Sequence, residues 1–124
     1  MKRIFVVDDN KDITDLMKLM LESSGYSCVT TNSGSEALDL MRNNTFDLVL
    51  LDMAMPEVTG MDVLDKVKDD STDTRNNKIV LFTASSLTDS DIENFKKRGA
   101  LDCIRKPITK VKLLETISKC LGSN

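Results

Sequence analysis

Apolar residues fall in five short runs, at 3–7 (RIFVV), 27–30 (SCVT), 47–51 (DLVLL), 78–82 (KIVLF) and 101–104 (LDCI). The first, third and fourth are rich in Val, Ile and Leu without strict alternation, the pattern of strands covered on both faces. The segments between them carry apolar residues at helical spacing. Ile13, Leu16, Met17, Met20 and Leu21 mark the first helix, Ala37, Leu38 and Met41 the second, and Val63, Leu64 and Val67 the third. Ile92 and Phe95 mark a short fourth helix, and Val111, Leu114, Ile117 and Leu121 a fifth.

Helix starts are signalled by a hydroxyl followed three residues later by an acid: Ser33 with Glu36, Thr59 with Asp62, and Thr88 with Asp91. Each pattern can pair an orphan backbone donor with a side-chain acceptor. Gly25 and Gly99 stand where helices should end. The segment 69–77 (DDSTDTRNN) is polar throughout and reads as an exposed loop before the fourth strand.

Strands alternating with helices imply a parallel sheet with helices on both faces. Right-handed crossovers narrow this to a single doubly wound (βα)5 domain over 1–124, flavodoxin-like, with strand order 2-1-3-4-5. No internal repeat or linker interrupts it.

Composition removes several function classes. The chain has 124 residues, enough for one core without staples, and is 40% apolar and 30% charged. Its 17 Lys and Arg against 20 Asp and Glu give a net charge of −3, with no extended basic run, so no direct nucleic-acid partner is expected. No apolar run approaches the ~20 residues that span a bilayer, so no membrane partner is expected. The first residues lack the pattern of a secretory leader. Cys28, Cys103 and Cys120 are odd in number and widely spaced, which suits reduced thiols and a cytoplasmic location. With no histidine in the chain, Ser-His-Asp and Cys-His nucleophile systems and imidazole-based zinc sites are excluded.

Acids stand at the carboxyl ends of two strands. The run IFVV leads into Asp8 and Asp9, and LVLL leads into Asp52. In the 2-1-3-4-5 order these strands are neighbours at the switch point, where ligands bind beyond the strand ends. On this reading Asp8, Asp9 and Asp52 crown the core and do not enter it. Three clustered carboxylates must bind a cation, share protons or recruit a basic side chain. An all-oxygen donor set suits Mg²⁺, or Mn²⁺. Strand 4 brings Thr83 to the same edge, and strand 5 brings Lys106. A cation site, a hydroxyl donor and a fixed ammonium together suit a transferring phosphoryl group.

The stretches VVDDN, GYSCVTTNSGSEAL, DLVLLDMAMPEVTGMDVL, IVLFTAS and GALDCIRKPI cover essentially the whole chain. In combination they resemble the receiver domain of two-component response regulators. The resemblance implies that Asp52 accepts a phosphoryl group from a phosphohistidine on a sensor histidine kinase or histidine phosphotransfer protein. The acyl phosphate then shifts the domain to an active conformation read by a downstream output protein or domain. It implies a regulatory domain that promotes only its own phosphorylation and dephosphorylation. Asp9 and Asp52 would ligate Mg²⁺ directly, with the Ala54 carbonyl as a third protein ligand and Asp8 acting through water. Thr83 would contact the phosphoryl oxygen and move toward it, Lys106 would pair with the phosphoryl group, and Lys106–Pro107 would be a cis bond. Asn10, Ile13 and Leu16 would lie on the partner-docking helix, with Leu19 exposed beyond them.

Two departures qualify the pattern. Cys103 occupies a switch position that is usually aromatic in the family, which leaves Thr83 and the loop after strand 4 to carry any conformational change. Ile108 replaces a common phenylalanine. Ala54 and Ser85, at positions that tune phosphoryl lifetime in the family, are both small. Three competing functions fit less well. A dehalogenase-type phosphohydrolase needs a D-x-D arrangement that DD and DMAMP do not supply. A flavin-mononucleotide carrier needs a first loop that DDNKD would make repulsive to phosphate. A phosphorylation-independent binding module would not need all five site residues. The segment after the fifth helix is too short for an output domain, so the sequence fits either a stand-alone regulator or a receiver taken from a longer protein.

Overall fold

A computed structural model describes residues 1–69, 78–84 and 86–122. Of the polar stretch 69–77 read above as a loop, Asp69 is helical, and residues 70–77, like Ser85, lie outside the described residues. The strands are β1 (Arg3–Val7), β2 (Ser27–Thr31), β3 (Leu48–Asp52), β4 (Ile79–Thr83) and β5 (Asp102–Arg105). The helices are α1 (Lys11–Ser23), α2 (Gly34–Asn43), α3 (Gly60–Asp69), α4 (Asp89–Lys97) and α5 (Lys110–Leu121). All strand pairs are parallel and the order is β2-β1-β3-β4-β5, as the alternating pattern requires.

Strand residues divide by parity between two cores, which is why the strands read as continuously apolar. Phe5, Val7, Val49, Leu51, Ile79 and Leu81 pack with Ala37, Met41, Val63 and Leu64 of α2 and α3. Ile4, Val6, Leu48, Leu50, Val80, Phe82 and Ile104 pack on the opposite face with Met17 and Leu21 of α1 and Leu113 and Ile117 of α5. Helix α4 contributes no buried residue, and its Ile92 and Phe95 are only partly covered.

The structure corrects several boundaries and placements. Strands β3, β4 and β5 begin and end one residue later than the apolar runs suggest, and β2 continues to Thr31. The ladder carries on past the hydrophobic residues: Asp52 pairs with Phe82, and Thr83 with Arg105. Asp52 and Thr83 are therefore strand residues held by backbone bonding, not loop residues. In α1 the buried line is Thr14, Met17 and Leu21, whose spacing of three and four closes on one helix face. Leu16 lies about 100° from Met17 on that helix and is 55% exposed, as is Leu19 at 67%.

Two of the three hydroxyl–acid patterns close completely. Thr59 Oγ1 accepts the Asp62 N–H at 3.2 Å while Asp62 accepts the Thr59 N–H at 2.9 Å. Thr88 and Asp91 form the same reciprocal pair at the start of α4. Ser33 caps α2 by accepting the Glu36 N–H at 3.3 Å. Gly25 and Gly99, following α1 and α4, adopt positive φ of 92° and 114°.

Candidate functional site

Strands β1 and β3 are adjacent, so the residues at their carboxyl ends meet. Asp8 follows β1 directly, Asp9 is next along the chain, and Asp52 is the last residue of β3. A carboxylate oxygen from each of the three can be chosen so that all lie within 4.8 Å of one another. The three acids stand at the strand ends, but they are not equally open to water. Asp9 is exposed, but Asp8 and Asp52 are only 1% and 2% exposed. The start of α3 comes close to the main chain at the end of β3. A Cβ at Gly60 would lie 2.2 Å from the Asp52 carbonyl oxygen, so only glycine lets the first turn of α3 descend this far.

Lys106, immediately after β5, answers the buried charge. Its Nζ donates to Asp52 Oδ1 at 3.1 Å and lies 3.7 Å from Asp8 Oδ2. The β4–β5 ladder fixes its backbone, because the Lys106 N–H donates to the Thr83 carbonyl at 2.8 Å. The Lys106–Pro107 peptide is cis. The Ala54 N–H donates to Asp52 Oδ1 at 3.3 Å, so among the described residues both hydrogen bonds to this carboxylate fall on one oxygen. Asp8 Oδ1 accepts the Asn10 N–H at 2.9 Å. Burial pushes the Asp8 carboxyl above the usual carboxylate range, and the charges of Asp52 and Asp9 add to this, while the Asn10 N–H and Lys106 oppose it.

Two buried oxygens among the described residues have no hydrogen-bond partner: Asp8 Oδ2 and Thr83 Oγ1. Leaving such atoms without a hydrogen bond costs about 1–3 kcal/mol each, and both stand at the carboxyl edge of the sheet, where a ligand could supply one. The donor set is oxygen alone, which fits a hard divalent cation of the Mg²⁺ type.

The structure thus brings together Asp8, Asp9, Asp52 and Lys106, with Ala54 bonded to Asp52 and Thr83 at the end of the adjoining strand. It does not bring Cys103 there. Cys103 pairs with Leu81, two residues short of Thr83 in the ladder, and packs half-buried against the α2–α3 core. Burial pushes its thiol up to about 11. Asn10 is exposed but serves as the α1 cap, its Oδ1 accepting the N–H groups of Asp12 and Ile13. Ile13 and Leu16 line an apolar groove of about 210 Å³ with Met17, Met20, Lys106, Pro107 and Ile108. This groove joins α1 to the segment that carries the site lysine.

Sequence reasoning missed Asn32, whose amide reaches the Asp8 carbonyl, and Arg105. The Arg105 guanidinium donates to the Leu87 carbonyl at 3.2 Å and to Asp89 at 2.7 Å, tying β5 to the start of α4. An asparagine just before the α2 cap reads as an ordinary turn residue, and nothing in the local sequence links it to Asp8.

The fold and site together define a doubly wound α/β domain with an acidic pocket at its switch point. The family model described as the response regulator receiver domain matches residues 4–118, and the chain belongs to that family, as the receiver domain of a two-component response regulator. Among similar proteins, the polar-differentiation response regulator DivK of Brucella ovis is 37% identical over 121 residues, covering 98% of this chain and 97% of that one. The response regulator TrrA of Thermotoga maritima, solved in complex with Mg²⁺-BeF, is 36% identical with a TM-score of 0.82, covering 98% of this chain and all of that one. The chemotaxis protein CheY4 of Vibrio cholerae superposes with a TM-score of 0.87 at 27% identity, covering 98% and 99% of the two chains. Receiver domains bind Mg²⁺ at an acidic pocket of this kind and act as regulatory signalling domains. Among the described residues no helix is long and apolar enough to cross a membrane.

Proposed function

We propose that this receiver domain is a Mg²⁺-dependent phosphoacceptor in which Asp52 takes the phosphoryl group from a phosphohistidine. The observation that carries the reading is the meeting of three carboxylates and Lys106 at the carboxyl edge of the sheet, where two buried oxygens lack a hydrogen-bond partner. Asp52 Oδ1 is engaged by Lys106 and the Ala54 N–H, which leaves Oδ2 as the attacking atom. Attack forms the Asp52 O–P bond as the donor's P–N bond breaks, and the imidazole leaves with the electron pair. The burial of Asp52 excludes bulk water from one side of the acyl phosphate. Lys106 turns from the carboxylate toward the new phosphoryl oxygens, and Thr83 Oγ1 supplies a hydroxyl donor to one of them.

Asp9 and Asp52 would hold Mg²⁺ directly with the Ala54 carbonyl, and Asp8 would do so through water. When bound, the ion neutralises charge on the acids and on the incoming phosphoryl oxygens. Movement of Thr83 would pass to α4 through the β4–α4 connection, where the helix has no buried residue to resist it. The phosphodonor, a sensor histidine kinase or a histidine phosphotransfer protein, would rest a helix in the groove lined by Ile13 and Leu16, beside Lys106. A downstream output protein or domain would read the α4 side.

Titration of isotope-labelled protein with Mg²⁺ and beryllofluoride, followed by amide NMR, tests the reading. The largest shifts should fall at Asp9, Asp52, Ala54, Thr83 and Lys106, and should vanish in Asp52→Asn. Saturable shifts confined to another surface would overturn it.

A further inference from the structure

We infer that Asn32 is a positioning residue for the divalent-cation site, acting through the peptide plane that joins Asp8 to Asp9. The inference rests on the Mg²⁺-dependent reading above. Asn32 leads out of β2 into α2, where a polar residue normally serves as a helix cap or turn former. That local role is already filled, because Ser33 Oγ caps α2. The Asn32 amide points elsewhere. Its Nδ2 donates to the Asp8 carbonyl at 2.8 Å and to Thr14 Oγ1 at 3.0 Å, so both protons are used on partners 24 and 18 residues away. Thr14, buried in α1, donates in turn to the Lys11 carbonyl at 3.0 Å. One side chain thereby links the start of α2, the end of β1 and the first turn of α1.

The link bears on the cation site because the Asp8 carbonyl and the Asp9 nitrogen belong to one rigid plane. The Asp8 N–H already donates to the Thr31 carbonyl at 3.2 Å. With its carbonyl held by Asn32, Asp8 is fixed at both ends, and the direction in which the chain enters Asp9 is fixed with it. Asp9 needs this support most. It is the exposed member of the acidic trio, and among the described residues no hydrogen bond holds its carboxylate, unlike those of Asp8 and Asp52. Its aim toward the other two acids is therefore set by its backbone. Outer partners of this kind orient metal ligands, and their loss weakens metal binding.

The test is Mg²⁺ affinity by isothermal titration calorimetry for the wild type, Asn32→Ala, Thr14→Val and Ser33→Ala, with a thermal melt of each in EDTA. Ser33→Ala is the control. It removes the neighbouring cap and lowers stability without touching Asp8. The inference expects Asn32→Ala to weaken Mg²⁺ roughly tenfold, Thr14→Val to weaken it less, and Ser33→Ala to leave it unchanged. If Asn32→Ala does not fold, Thr14→Val reads the same link, and unchanged affinity there overturns the inference. Equal weakening in Asn32→Ala and Ser33→Ala would overturn it as well, by reducing the effect to general loosening. Absence of Mg²⁺ binding in the wild type would instead overturn the cation-site reading on which the inference rests.

Discussion

Replacing Asp8 with asparagine should make the metal-free protein more stable. Asp8 is 1% exposed, and one oxygen of each acid falls within 4.8 Å of the others. Two unit charges at such a separation repel by about 3.5 kcal/mol at an effective dielectric near ~20. The Lys106 ammonium, 3.7 Å from Asp8 Oδ2, returns an attraction of similar size, but its side chain is 33% exposed and water screens it. The burial of a charged carboxyl then decides the sign, and burial is the foremost cause of the raised Asp8 pKa. The asparagine keeps an oxygen for the Asn10 N–H, but exchanges Oδ2 for an amide NH2 and so loses the charge and the ion pair with Lys106. We expect a gain of about 1–2 kcal/mol in EDTA at neutral pH, or a rise in Tm of roughly 3–8 °C. The pH dependence follows from the same group. Because its folded pKa is raised, Asp8 favours folding at low pH, and this advantage is lost as pH rises through the folded pKa. The variant should lack that slope. Saturating Mg²⁺, at about 100 times its Kd, should then add about 2.7 kcal/mol to the wild type and less to the variant, narrowing the gap. Thermal melts in EDTA from acidic to neutral pH, repeated with Mg²⁺, measure all of this. A variant less stable than the wild type in EDTA at neutral pH would refute the reasoning, by showing that the Lys106 attraction outweighs burial and crowding.

Gly60→Ala would set a Cβ 2.2 Å from the Asp52 carbonyl oxygen, so α3 must lift from β3. A loss of about 1–3 kcal/mol in urea denaturation is expected, with weaker Mg²⁺ binding. Glu57 adopts φ of 63° in the loop that follows the site, and Glu57→Gly should therefore stabilise the chain by up to about 1 kcal/mol in the same assay. Cys103, with its thiol pushed up to about 11 by burial, should alkylate far more slowly in the native than in the denatured state at neutral pH, as mass spectrometry after peptide digestion can read.

The strand order and the acidic pocket were legible in the sequence for a common reason. Strands buried on both faces must be apolar, so the first charged residue after each run falls at the sheet edge, and adjacency of β1 and β3 does the rest. Thr83 was legible in the same way, as the polar residue ending β4, and Lys106 as the basic residue just past the end of β5. What was not legible depends on how far helices rise over that edge. The apolar runs could not say that Asp8 and Asp52 would be covered, since burial at a strand end depends on tertiary packing and not on the strand's own pattern. Leu16 fits an apolar stripe when α1 is read as a list of spacings. The helix instead turns Thr14, Met17 and Leu21 inward, because a hydroxyl bonded to Asn32 and the Lys11 carbonyl can be buried. The Asn32–Asp8 bond spans 24 residues and uses a residue type common in turns, so no local pattern announces it.

Intact mass after incubation with Mg²⁺ and a small-molecule phosphodonor tests the central claim most directly, with Asp52→Asn and an EDTA sample alongside. The account predicts a gain of one phosphoryl group in the wild type and none in either control. An adduct that persists in Asp52→Asn, or no adduct in a wild type that also fails to bind beryllofluoride, would contradict it.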